Sequence, residues 1–131
     1  MKTLIVEDDF TSCLQLQGFL KSFGPSHIVV NGREAVEAVC DAMADEEPYD
    51  LICLDVMLPR RTGQDALRRI REREAGQGER PWPAAKIVVT TAMDLPRHVV
   101  EGVKRLCDGY LSKPIRKTQV LEELRKLQLV A

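Results

Sequence analysis

Short apolar runs alternate along the whole chain with longer stretches in which apolar side chains recur every third or fourth residue. Leu4 to Val6 is the first run. Phe10, Cys13, Leu14, Leu16, Phe19, Leu20 and Phe23 follow at helical spacing until Gly24-Pro25 stops them. Ile28 to Val30 predicts a second strand. Asn31-Gly32-Arg33-Glu34 then reads as an N-cap with a glutamate at the third helical position, opening a helix of Ala35, Val36, Val39, Cys40 and Met43 that ends in the polar Asp45 to Pro48. Leu51 to Leu54 is apolar on both alternating faces, as a central parallel strand covered on both sides requires. After Pro59, Thr62-Gly63-Gln64-Asp65 resembles a capping box that starts a helix carrying Ala66, Leu67 and Ile70. The charged Arg68, Arg69, Arg71, Glu72, Arg73 and Glu74 read as its solvated face. Ala75 to Pro83, punctuated by glycine and proline, predicts a surface loop. Ile87 to Val89 is the fourth strand. Asp94 caps a helix with Pro96 in its first turn and Val99, Val100, Val103 and Leu106 on its buried side. Tyr110-Leu111 is a short fifth strand, and Val120, Leu121, Leu124 and Leu127 mark a last amphipathic helix.

Five βα units in 131 residues predict a single α/β domain over residues 1–131 with a doubly wound parallel sheet, because a closed eight-unit barrel needs about 250 residues. Charge narrows the function classes. With 19 Lys plus Arg against 20 Asp plus Glu, the net charge is -1, leaving no positive excess to hold a nucleic-acid backbone. No apolar run approaches the roughly 20 residues of a membrane span, and the N-terminal run is too short for a signal peptide, so the expected location is cytoplasmic. Cys13, Cys40, Cys53 and Cys107 include no Cys-x-x-Cys pair, and His27 and His98 share no ligand spacing. These cysteines read as reduced, small core residues.

Ligands of a doubly wound sheet sit beyond the C-terminal ends of its strands, so the residues there carry the candidate chemistry. Glu7-Asp8-Asp9 follow the first strand, Asp55 the third, Thr90-Thr91 the fourth and Lys113-Pro114 the fifth. Carboxylates gathered at one point repel unless a cation neutralises them, and an oxygen-only set selects a hard ion such as Mg²⁺. Such an ion, an ammonium and a hydroxyl around one carboxylate are the parts of phosphoryl transfer, with Asp55 as the nucleophile.

The fragments Leu4-Ile5-Val6-Glu7-Asp8-Asp9, Asp50 to Gly63 with Asp55, Met57 and Pro59, Val89-Thr90-Thr91-Ala92, and Gly109-Tyr110-Leu111-Ser112-Lys113-Pro114 occur in one order. In that order they resemble the CheY-like receiver domains of two-component response regulators. The resemblance covers nearly the whole chain and implies the flavodoxin-like strand order 2-1-3-4-5 with five helices. It implies Asp55 as phosphoacceptor, with Mg²⁺, replaceable by Mn²⁺, held by Asp8, Asp55 and the backbone carbonyl of Met57, and by Glu7 mainly through water. Thr91 and Lys113 would contact the phosphoryl group, Thr91 and Tyr110 would form the switch, and Pro114 would be the cis proline that aims Lys113. Asp9 reads as the N-cap of the first helix. Met57 and Met93, two residues after the phosphoacceptor and two after the threonine, occupy the positions that tune dephosphorylation. As weak acceptors they favour a long-lived phosphoryl group.

The implied partners are a sensor histidine kinase or phosphotransfer protein and an output protein on the helix 4, strand 5, helix 5 face. Neither nucleic acid nor membrane is expected, and the assembly is a monomer or a phosphorylation-dependent dimer. Two departures stand out: the basic Arg60-Arg61 after Pro59, and Leu106-Cys107 where Gly-Ala is frequent. The rival reading is an aspartyl-phosphate phosphohydrolase of haloacid dehalogenase type, but Met57 stands where such enzymes carry a second aspartate. A flavin carrier fits poorly with three acids after the first strand. The expected protein is therefore a switch that turns over no external substrate.

Overall fold

The computed structural model describes residues 1–76, 82–91 and 97–131. Five strands, β1 (Thr3–Val6), β2 (Ser26–Val29), β3 (Leu51–Asp55), β4 (Lys86–Thr91) and β5 (Gly109–Ser112), form one parallel sheet in the order β2-β1-β3-β4-β5. This is the order implied by the resemblance. Helices α1 (Phe10–Leu20), α2 (Gly32–Ala44), α3 (Thr62–Gly76), α4 (Arg97–Lys104) and α5 (Lys117–Lys126) join them.

Strand alternation sorts the core into two layers. Leu4, Val6, Ile52, Leu54, Ile87 and Val89 face one way, onto Val39 of α2, Leu67 and Ile70 of α3 and Val103 of α4. Ile5, Leu51, Cys53, Val88 and Leu111 face the other, onto Leu16 and Leu20 of α1 and Val120 and Leu124 of α5. β3 lies mid-sheet with every residue buried, as its unbroken apolar run predicted. All four cysteines are free thiols, and burial pushes that of Cys53 up to about 12.

Several boundaries differ from the sequence reading for local reasons. β2 is Ser26–Val29 rather than Ile28 to Val30: Gly24, at φ 136°, turns the chain so that pairing begins at once, and Pro25 O accepts from Thr3 N. Val30 N is drawn off the strand by Glu34 Oε1 at 3.2 Å. Asn31 caps α2 as expected, its Oδ1 accepting from Glu34 N at 2.9 Å.

The capping box at Thr62 does not form. A 3₁₀ turn, Pro59–Arg61, runs straight into α3, so Thr62 already has helical dihedrals and its buried hydroxyl finds no partner among the described residues. Asp65 instead accepts from Arg68. The turn holds Arg60 at φ 59°, a left-handed conformation that costs about 1 kcal/mol for a side-chain-bearing residue. Gly63 is obligatory just beyond it, since a Cβ there would lie 2.3 Å from the Asp55 carbonyl oxygen. The helix start thus presses directly on the end of β3.

The charged run on α3 is not all solvated. Arg71 and Glu74 turn inward, with side chains only 19% and 6% exposed. The Arg71 guanidinium donates to Glu74 Oε1 (2.7 Å), Asp108 Oδ2 (2.7 Å), Leu106 O (2.8 Å) and Ala85 O (2.8 Å). Glu74 and Asp108 in turn accept from the amides of Ala85 and Ile87. One side chain therefore ties α3 to the entry of β4 and to the connection between α4 and β5. Asp94 and Pro96, and most of the loop expected over Ala75 to Pro83, lie outside the described residues.

Candidate functional site

Each candidate side chain leaves a strand at the same edge of the sheet. Glu7 is 1% exposed directly after β1, and Asp55, 4% exposed, is the last residue of β3. Asp8 stays exposed. One carboxylate oxygen from each of Glu7, Asp8 and Asp55 lies within 4.8 Å of the others. Asp9 does not join them: it is the N-cap of α1, with Oδ2 accepting from Ser12 N (3.0 Å) and Ser12 Oγ (2.7 Å).

Lys113 follows β5 across a cis peptide to Pro114 and reaches back over the sheet edge. Its Nζ donates to Glu7 Oε1 and, at 3.1 Å, to Asp55 Oδ2. The backbone amide of Met57 donates to Asp55 Oδ1 at 2.8 Å, so both oxygens of the carboxylate are held. The Met57 side chain is 51% exposed beside it. Thr90 is Asp55's register partner, and Thr91 stands one residue further along at the buried end of β4. By alternation Thr91 shares the sheet face of Val89, whose register partner is Tyr110, so Thr91 and the half-buried Tyr110 lie on the α4 side together. Met93 lies outside the described residues.

These contacts set the charge states. Burial, with Asp55 beside it, raises the Glu7 carboxyl to about 7 despite the opposing ammonium of Lys113. For Lys113, burial is the largest single effect and disfavours the charge, but the hydrogen bond it donates to Glu7 and the charges of Asp55 and Glu7 outweigh it and raise its pKa. The metal-free fold consequently binds more protons than the unfolded chain between pH 4.5, the ordinary value for Glu7, and about 7. Stability falls as pH rises through that window. Urea denaturation at pH 5 and pH 7.5 should show a loss of about 1–3 kcal/mol that largely disappears in Glu7→Gln. An equal loss in the variant would assign the slope to other groups.

The donor set is all oxygen and suits a hard divalent cation, with no His or Cys in the cluster. Two features escaped the sequence reading. Phe10, directly after Asp9, and Leu14, one turn further along α1, are 75% and 51% exposed rather than core. Helical spacing alone did not distinguish them from Cys13 and Leu16, although the position of Phe10 directly after three acids was visible.

The chain is 32% identical over 126 residues to the transcriptional regulatory protein DltR of Streptococcus agalactiae, a match covering 95% of this chain and 50% of that protein. It thus spans about half the length of that relative. It is 33% identical over 132 residues to the two-component response regulator ORR41 of Oryza sativa subsp. japonica, covering 98% of this chain and 95% of that one. Among solved structures, the receiver domain of a sensor histidine kinase from Pseudomonas aeruginosa, with a magnesium ion coordinated in its active site cleft, superposes with a TM-score of 0.73. That match has 28% identity and covers 95% of this chain and 94% of that one. Among the described residues, no helix is long and apolar enough to cross a membrane. The family model for the response regulator receiver domain matches residues 3–125, and on that match, with these relatives, the chain belongs to this family.

Proposed function

We propose that residues 1–131 act as one receiver domain whose Asp55 takes a phosphoryl group from a phosphohistidine on a sensor kinase or phosphotransfer protein, and so changes its contacts with an output protein. The observation that carries this reading is the hold on Asp55: a buried carboxylate at a strand end, gripped by the Met57 amide and Lys113, with Glu7 and Asp8 supplying further oxygens. Glu7, Asp8, Asp55 and the Met57 carbonyl would hold Mg²⁺ or Mn²⁺, which neutralises charge on the incoming phosphoryl oxygens. An Asp55 oxygen forms the O–P bond as the N–P bond of the donor breaks, and the imidazole leaves with the bonding electron pair. Lys113 and the Thr91 hydroxyl follow the new phosphoryl oxygens. Phe10, next to the acids, and Leu14, one turn further along α1, offer the donor protein an apolar footing.

Thr91 and Tyr110 share the α4 face, so displacement of the threonine is felt at Tyr110 and through it on the α4, β5, α5 surface. Beryllofluoride with Mg²⁺ serves as the phosphoryl mimic. Amide NMR signals should shift at Tyr110 and along α4 as well as at the residues touching Asp55. The corresponding change in partner affinity is roughly 5- to 150-fold for a coupling of about 1–3 kcal/mol. Shifts confined to the neighbours of Asp55 would rule out the switch.

A further inference from the structure

The groove between α3 and α4 lies away from the acids and has a composition of its own. It encloses about 430 Å³, within the range of small-ligand pockets. Its floor is Leu67, Val99, Val103 and Leu106, all packed into the core layer beneath, so the floor is fixed by the fold. Two guanidinium groups, Arg68 and Arg105, stand among the lining residues, which include no carboxylate. Arg68 is engaged by Asp65 at 3.2 Å. Arg105, just after the end of α4, makes no ion pair among the described residues, although its neighbours Lys104 and Asp108 are charged. Gly102 keeps one wall low, since a Cβ built there meets nothing within 4 Å.

An apolar slot of ligand size, with an unengaged cation at its rim and no acid among its described lining residues, selects one chemical class. We propose that this groove binds small carboxylates with an apolar body, the body lying on Leu67 and Val103 and the carboxylate meeting Arg105. Asp55 and the acids do not line this groove, so binding there does not require phosphoryl transfer.

The test is a methyl and amide NMR titration of the full chain with 4-phenylbutyrate, against the matched alcohol 4-phenylbutanol. The acid should produce saturable shifts at Leu67, Val99 and Val103 with a Kd of about 1 mM, an affinity ordinary for so small a ligand. The alcohol should bind at least about tenfold more weakly, and Arg105→Gln should weaken the acid by a similar factor. Gly102→Leu fills the groove at an exposed helical position where leucine favours the helix, so it should abolish the shifts while leaving the rest of the spectrum folded. Asp55→Asn should bind the acid as the unaltered chain does, which separates this result from the fate of the phosphotransfer reading. Equal binding of acid and alcohol, an unaffected Arg105→Gln, or shifts centred on Phe10 and Leu14 would overturn the proposal.

Discussion

Acetyl phosphate with Mg²⁺ should add one phosphoryl group to the chain by intact-protein mass spectrometry, and Asp55→Asn should reduce that adduct to background. The expectation rests on geometry. Both oxygens of Asp55 are held, by the Met57 amide and by Lys113, so it meets an incoming phosphorus preoriented. The same experiment without divalent cation should fail, because Glu7, Asp8 and Asp55 together repel an anion that Lys113 alone cannot neutralise. Once formed, the adduct is exposed to water beside a methionine. Met57→Asn supplies a polar group able to orient that water and should speed decay about tenfold if the ordering is worth about 1.4 kcal/mol. Labelling of Asp55→Asn equal to that of the unaltered chain would move the acceptor elsewhere.

The largest stability effect expected within the charged run of α3 is at Arg71. Arg71→Ala removes a guanidinium that serves two carboxylates and two carbonyl oxygens, Glu74 being buried at 6% side-chain exposure. Breaking a buried pair from one side is costly because the remaining groups stay desolvated, and we expect a loss of about 3 kcal/mol. That corresponds to a fall in Tm on the order of 10 °C for a domain of this size. Arg69→Ala, from the same charged run, should change stability by less than about 0.5 kcal/mol. Similar values for the two would mean that the network is incidental.

That contrast also marks where reading the chain succeeds and stops. β3 was legible because burial on both faces leaves no polar position in Leu51 to Leu54, and the site was legible because a doubly wound sheet delivers the residues after each strand to one edge. β2 was misplaced because it is an edge strand whose paired residues include the polar Ser26 and His27. Arg71 and Glu74 looked like a surface ladder because their i, i+3 spacing is that of solvated helix pairs. Their decisive partners lie 11 to 37 residues away along the chain, and no local pattern encodes them. Likewise the Lys113 to Glu7 contact joins residues 106 apart, which only the assembled sheet brings together.

The sheet order gives the two ends of the Lys113 to Asp55 contact unequal tenure. Asp55 ends a strand paired on both sides, whereas Lys113 is carried by β5, which pairs only with β4. Amide hydrogen exchange in β3 must therefore wait for openings close to global unfolding, while β5 can fray by itself at a smaller free energy. The carboxylate is anchored like masonry and the ammonium paired with it hangs from the sheet's free margin, so under the proposed function a change in charge at Asp55 should be answered first where the backbone moves most easily.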